Sequence, residues 1–503
     1  MKKTMITGMV LSLSAPLAGF AAPSHENSIP YPVDEWKGVQ GKTLADSKPD
    51  FVGQRKAPEG APNVLVIMLD DAGYSNATSY GGVMRTPNFD RIGDEGLRYT
   101  HMSVAAVSSP TRGSLLTGYN IHQIGTGIIS EFATGYPGYN SQIDYTTPSI
   151  AKILTDNGYA TAAFGKWHNT PMEEASPAGP FESWPTGVWG FEYFWGFLGG
   201  ETSQFHPLLY ENNTAIDTPE TNADGSEFHL SQGMADQAIK WLDNWKGLRD
   251  VPFFMYYTPG AVHAPIQVPK EWRDKYKGQF DDGWHAYRAK LLERQKKLGL
   301  VPEDAKMVDW PEVIPEWDSF NKEGQAYLSR QMEVNAAFME HVDYHIGRVI
   351  DYIEEMGELD NTLVIYLTAD NGCTAEGTPT GTFSELLFQN GFPPLTMEQQ
   401  LEKLEEFGGL DAWGGPHMAN HYSVAWAYAS STPFQWTKQI ASHFGGTMSA
   451  TAIRYPKAIK AKGEWRRQFQ NVTDLVPTIL ESQENPIGFP GQQIPQPWLN
   501  SIR

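Results

Sequence analysis

Residues 63–73 read NVLVIMLDDAG, an apolar run closed by two adjacent aspartates and a glycine. A run with so little polar alternation suits a strand covered on both faces, as in a parallel sheet between helix layers. Outward from this strand, helix and strand signals alternate. Thr86-Pro87 offers a cap and a first-turn proline for a helix ending near Gly96. Thr147-Pro148 repeats that signal, with Ile150, Ile153 and Leu154 on one face and Gly158 as the stop, and 160–164 is the next strand. Residues 251–257 form another apolar strand. The longest helix is expected over 325–356, where Met332, Met339, Val342, Ile346, Val349 and Ile353 recur mostly at steps of three and four. Gly357 ends it and strand 362–368 follows. Thr396 and Gln399 form a capping box for helix 396–407, and a last helix starts near Asp474. The alternation predicts an α/β fold: a large, mostly parallel sheet sandwiched by helices.

The chain has 503 residues, 40% of them hydrophobic, with 16 Trp, 22 Tyr and 24 Phe, which excludes global disorder. A net charge of −21 excludes a nucleic-acid-coating protein but leaves room for a cationic pocket. One cysteine, Cys373, allows neither an intrachain disulfide nor a cysteine-based zinc site. Lys2 and Lys3, the apolar run 5–20 and the small residues Gly19, Ala21 and Ala22 read as a secretory signal over 1–22, too short for a stable membrane anchor. Export through Sec-type machinery to the periplasm or beyond follows. The expected division is a 23–60 extended lead-in, a 61–485 catalytic domain and a short 486–503 C-terminal segment.

In open α/β sheets ligands bind beyond the carboxyl ends of the strands. Strand 63–69 delivers Asp70 and Asp71 there, and strand 362–368 delivers Asp370 and Asn371. Each acidic pair alone could cap the next helix. Gathered together they need a cation, and hard oxygen ligands select calcium or magnesium. Strand 160–164 leads to Lys166 and His168, and strand 251–257 to His263, groups suited to an anion shared with a metal. Residues 107–118, VSSPTRGSLLTG, open a helix at Ser108, where free N–H groups and the macrodipole favour a nucleophile, with Arg112 one turn on.

Together these blocks resemble the type I sulfatases of the alkaline phosphatase superfamily, most closely the bacterial arylsulfatase branch. The carriers are Ser108-Ser109-Pro110-Thr111-Arg112 with Leu115-Leu116-Thr117-Gly118, Asp70-Asp71 with Gly73, Thr86-Pro87-Asn88, Gly165-Lys166-Trp167-His168, His263-Ala264-Pro265, Asp370-Asn371-Gly372, and Thr432-Pro433 leading to Lys438 and Gly445-Gly446, in the family's order over about residues 60–480. The resemblance implies hydrolysis of sulfate esters by a formylglycine hydrate made from Ser108, through a covalent sulfoenzyme. It implies a cation, calcium or magnesium, on Asp70, Asp71, Asp370 and Asn371. Arg112 would hold the diol and its carboxylate partner, Lys166 and Lys438 would neutralise sulfate, His168 would act as base, and His263 would serve the leaving oxygen. Partners so implied are a small sulfated substrate and a cytosolic radical maturation enzyme. Alternatives are a phosphonate or phosphodiester hydrolase of the same superfamily, or a non-catalytic binder of sulfate esters or glycans if Ser108 stays unconverted. Three departures stand out: serine rather than cysteine at 108, one extra residue between Lys438 and Gly445 that brings His443 toward the pocket, and a C-terminal subdomain that looks missing or truncated. Residues 203–210, 310–317 and 413–428 supply either rim contacts to substrate or loop packing.

Overall fold

The structure is a computed structural model describing residues 36–50, 56–144, 146–248 and 251–482. Its centre is a sheet of β1 (Asn63–Met68), β2 (Leu97–Ser103), β3 (Ala160–Lys166), β4 (Tyr193–Phe197), β5 (Leu209–Glu211), β6 (Thr214–Ile216), β7 (Phe253–Thr258), β8 (Thr362–Leu367), β9 (Met448–Arg454), β10 (Glu464–Arg466) and β11 (Gln470–Asn471). The order is β10-β2-β9-β8-β1-β7-β3-β4-β5-β6, with β11 also paired to β2. β8, β1, β7, β3 and β4 are mutually parallel. β9 runs antiparallel between β8 and β2, which returns β2 to the direction of β1. β2, β8, β1, β7, β3 and β4 therefore all end on the same edge.

The reason β1 lacks polar alternation is visible in its packing. Leu65 and Ile67 enter one core layer, while Val64, Val66 and Met68 enter the other, all fully buried. Each such aliphatic side chain contributes roughly 1.5–3 kcal/mol through burial. The first layer is closed by the helix Lys322–Glu355, through Met332, Met339, Val342, Ile346, Val349 and Ile353, and by Leu230–Trp245. Against the second lie Ser108–Thr117, Ile150–Asp156 and Leu475–Glu481.

Several expectations shift by local chemistry. Pro87 begins its helix as expected. The next helix starts at Ile150, not at Pro148: Ser149 is the cap, its hydroxyl accepting from the Lys152 N–H. The Thr396–Gln399 capping box closes with both of its hydrogen bonds. Trp310 and Trp317 pack around Trp284, which also meets Trp426, and Trp413 packs on Tyr327, so these aromatics are core rather than rim. The 1–22 signal and the 486–503 segment lie outside the described residues. Of the 23–60 lead-in, 36–50 holds a bridge between Val39 and Lys48 and one turn at Leu44–Asp46. Among the described residues, no helix is long and apolar enough to cross a membrane.

Candidate active site

Beyond these strand ends a buried cluster of polar side chains comes together. β1 runs out into Asp70 and Asp71, and Asp71 turns inward through left-handed backbone (φ 61°). Such a conformation costs a non-glycine residue roughly 1–2 kcal/mol, here held by the buried contacts of the side chain. β8 runs out into Asp370 and Asn371, and the Asn371 amide donates to Asp71 Oδ1 at 2.6 Å. Beyond β2, the loop at Ala106 accepts from the Gln439 N–H, and Ser108 opens its ten-residue helix, every residue of which is buried. Pro110 is tolerated because first-turn N–H groups have no helical partner.

Ser108 Oγ donates to Asp370 Oδ2 at 2.5 Å. Arg112 Nε donates to Ser108 Oγ and to the same Asp370 oxygen, both at 2.9 Å, and its Nη1 to the Lys166 carbonyl at 3.0 Å. Burial would push Asp370 up, but the charges of Arg112 and then Lys166 win and hold it well below the usual carboxylate range. Lys166 Nζ donates to Asp70 Oδ2 at 2.6 Å. Lys438 Nζ donates to Asp71 Oδ2 and to Glu376 Oε2, each at 3.0 Å, and lies 3.3 Å from His263 Nε2. Burial disfavours its charge, yet Asp71 and Glu376 outweigh it and raise the ammonium well above its ordinary value. His263 Nδ1 donates to the Ala264 carbonyl at 2.7 Å, which leaves Nε2 toward Asp71.

His168, also in left-handed backbone (φ 61°), donates from Nε2 to Glu131 Oε2 at 2.7 Å. Its Nδ1 is buried with no hydrogen-bond partner among the described residues. Burial pushes the imidazole down to about 4, against the pull of Glu131. A neutral ring with Nε2–H engaged presents a lone pair at Nδ1.

The structure thus gathers Asp70, Asp71, Asp370, Asn371, Ser108, Arg112, Lys166, His263 and Lys438 into one contact network; His168 pairs with Glu131 beside it, and its neighbour Asn169 donates to the Ser109 carbonyl at 2.9 Å. His443 is not part of it: its Nδ1 meets Ser442 Oγ and its ring faces Trp436, so the longer 438–445 stretch leaves Lys438 in place. Two contributors escaped the sequence reading. Glu131 lies in the single helical turn Ser130–Phe132 and Glu376 five residues past Asn371; neither carries a local signal in the sequence.

The donor set fits a hard divalent cation. Asp70 Oδ1 and Asn371 Oδ1 are buried and accept no hydrogen bond, and one ligand atom each of Asp70, Asp71 and His263 lie within 4.8 Å of one another. Burial, and then the charge of Asp370, pushes Asp70 up to about 6. A cation removes both the repulsion and the unmet acceptors.

Residues 62–482 match the Sulfatase family. An uncharacterized sulfatase of Schizosaccharomyces pombe is 34% identical, over 89% of this chain and 80% of its own length. An arylsulfatase of Klebsiella aerogenes is 27% identical, over 85% of this chain and 88% of its own. The solved PsFucS1 sulfatase from Pseudoalteromonas sp. shares the fold with a TM-score of 0.50 at 18% identity, over 84% of this chain and 68% of that one. With a family match spanning the whole sheet and its strand ends, the chain belongs to the sulfatase family and is a sulfuric ester hydrolase.

Proposed function

We propose that the protein hydrolyses sulfate esters of the arylsulfatase type, with Ser108 oxidised to formylglycine and a calcium or magnesium ion on Asp70, Asp71, Asp370 and Asn371. The observation that carries this reading is the Ser108 hydroxyl, 2.5 Å from Asp370 and bonded by Arg112, inside a hollow that Lys166 and Lys438 also line. A hydrated formylglycine at position 108 would supply two hydroxyls on one carbon, one as nucleophile toward sulfur and one to let sulfate leave without water attacking sulfur. A cation held by Asp70, Asp71, Asp370 and Asn371 would supply positive charge where negative charge gathers in the reaction.

The chain's own residues divide the remaining work. Arg112 fixes the oxygen on residue 108 against Asp370 and balances that carboxylate. Lys166 and Lys438 offer ammonium donors to the sulfate oxygens, where charge accumulates as the ester bond breaks. His168 Nδ1 accepts the proton of the second hydroxyl, with Glu131 holding the ring by Nε2. His263 Nε2, 3.3 Å from Lys438 Nζ, gives or shares a proton with the departing oxygen. The same reading includes a cytosolic radical enzyme that matures Ser108 before Sec-type export to the periplasm.

Paired kinetics test it. With cation-loaded protein from its native host, kcat/KM for an aryl sulfate is expected to exceed that for the matching aryl phosphodiester. A ratio favouring the phosphodiester assigns the site to phosphoryl transfer, and sulfate-ester binding without turnover assigns it to recognition alone.

A further inference from the structure

Beside His263, on the side away from Asp71, stand two carboxyl groups that the hydrolytic machinery does not use. Glu201 lies just beyond β4, and Glu385 opens the short helix Glu385–Gln389, its backbone N–H fixed on the Ala419 carbonyl. One oxygen from each and a ring nitrogen of His263 lie within 4.8 Å of one another, with Glu201 Oε2 at 3.8 Å from His263 Nδ1. Glu385 is 3% exposed, and among the described residues no N–H or hydroxyl donates to its carboxyl oxygens, which face the Glu201 carboxyl. Glu201 keeps 28% of its side chain exposed, so the pair is reached from solvent on that side.

The charges around His263 show what is missing. Asp70 is met by Lys166, Asp370 by Arg112, and Asp71 and Glu376 by Lys438. Among the described residues, no lysine or arginine makes an ion pair with Glu201 or Glu385. Burial and the neighbouring Glu201 push Glu385 well above the carboxylate range, so the two hold one proton between them and keep negative charge. The shared proton serves one oxygen of each carboxyl and leaves the other Glu385 oxygen buried without a donor, a rare condition in folded proteins that points to an outside partner. A metal ion fits poorly: His263 Nδ1 lies 2.7 Å from a carbonyl, which only accepts, so that nitrogen carries a proton and has no lone pair to give. Two carboxyl groups fall short of the six to eight oxygens calcium gathers. A protonated amine brings both charge and up to three N–H donors.

We infer that Glu201 and Glu385 form the subsite for the alcohol part of the substrate and select sulfate esters whose alcohol part carries a protonated amine. The inference rests on the sulfate-ester reading above. His263 stands between the two halves of the site, Nε2 toward Asp71 and Nδ1 toward Glu201. A substrate with sulfate in the Lys166–Lys438 hollow and its ester oxygen at His263 therefore sends the next atoms toward the carboxyl pair. Anion and cation of one molecule would each find the opposite charge.

The test compares 4-(2-aminoethyl)phenyl sulfate with 4-ethylphenyl sulfate, which differ only in the amine, at pH 7. Wild-type kcat/KM is expected to favour the amine by about tenfold or more, the scale of a charge-assisted hydrogen bond. In Glu201→Gln and in Glu385→Gln the ratio is expected to fall to about one. A ratio within one enzyme is independent of how much protein is folded or matured, and Glu201→Gln alters a partly exposed side chain if Glu385→Gln fails to fold. Calorimetry of both esters on Ser108→Ala reads the same preference without turnover. Preferential binding of the amine ester with no hydrolysis by wild type would uphold the subsite while defeating the hydrolytic reading. Equal binding and equal turnover of the two esters, or a preference that survives Glu201→Gln, would overturn the subsite. So would loss of one bound divalent ion per chain in Glu201→Gln, which would make the pair a metal site.

Discussion

Ser108→Ala removes the one oxygen that both Asp370 and Arg112 hold in the hollow. Turnover of an aryl sulfate is expected to fall by about a thousandfold or more, since the nucleophile has no substitute. The melting temperature and calcium binding should stay near wild type; residual activity close to wild type would remove Ser108 from the nucleophile role. Asp370→Asn keeps the volume but discards the charge facing Arg112, and calcium affinity and activity are expected to drop together. An unchanged calcium titration would take Asp370 out of the ligand set. Glu131→Gln is a subtler change, because Glu131 holds the His168 ring and the Gly200 N–H and touches none of the proposed reacting groups. A loss of about ten- to hundredfold in kcat/KM is expected, the scale for groups that orient a histidine from behind. The Glu131 charge favours the imidazolium, so its removal should move the acid limb of the pH–rate profile to lower pH. A profile that does not move would reduce Glu131 to a structural contact. At this scale the sequence was informative where a residue follows directly from a strand end, as Asp70, Lys166 and Asp370 do. Glu131 lies in the single turn Ser130–Phe132, Glu201 in the loop after β4 and Glu385 at the start of a short helix; their partners are distant in sequence, and no spacing rule reaches them.

At the scale of elements, the site depends on how closely the β8 exit approaches the turn before β9. A Cβ on Gly372 would lie 1.8 Å from the Gly445 carbonyl oxygen, and the Gly372 N–H donates to the Gly446 carbonyl at 2.9 Å. Gly372→Ala must push these backbones apart, and overpacking of this kind costs about 1–3 kcal/mol. A melting temperature lowered by a few degrees and an activity lost well beyond that destabilisation are expected, since Asp370 and Asn371 move with the turn; full activity would show that the approach is not needed. Elements with a strong pattern were legible: β1, β8 and the helix Lys322–Glu355 lie where their apolar residues put them, within a few residues. The start at Ile150 was misread because Ser149 and Thr147-Pro148 offer competing caps, and the Ser149 hydroxyl reaches the Lys152 N–H. The Trp310 and Trp317 side chains were ambiguous because an aromatic loop reads alike whether it stacks on a ligand or on Trp284.

For the whole molecule, parallel strands ending on one edge explain how residues from 70 to 438 meet in one site between the helix layers. The same layers bury His229, His341 and His345 in contact with one another. Burial pushes His229 down to about 4, His345 to about 3, and His341 well below its usual value, with the neighbouring histidines adding to the shift of His341 and Arg348 and His229 to that of His345. Their folded values lie below the unfolded one, so the unfolded chain alone takes up protons as pH falls below about 6.5. The stability they contribute is complete above that pH and is lost as pH drops toward about 3–4. The melting temperature is expected to decline across this window, and His341→Gln should flatten the decline; an identical slope in the variant would place the acid sensitivity elsewhere. The order of the motif blocks was sufficient to anticipate the family and the sheet, because the Asp70, Lys166, His263 and Asp370 blocks each follow or close a strand. The chemistry at Ser108 is most directly read by mass spectrometry of its peptide from protein purified out of the native host, alongside aryl sulfate turnover by the same sample. A peptide lighter by about two hydrogens, in a fraction that tracks activity, is the expected result. An active sulfatase whose Ser108 is wholly unmodified would contradict it.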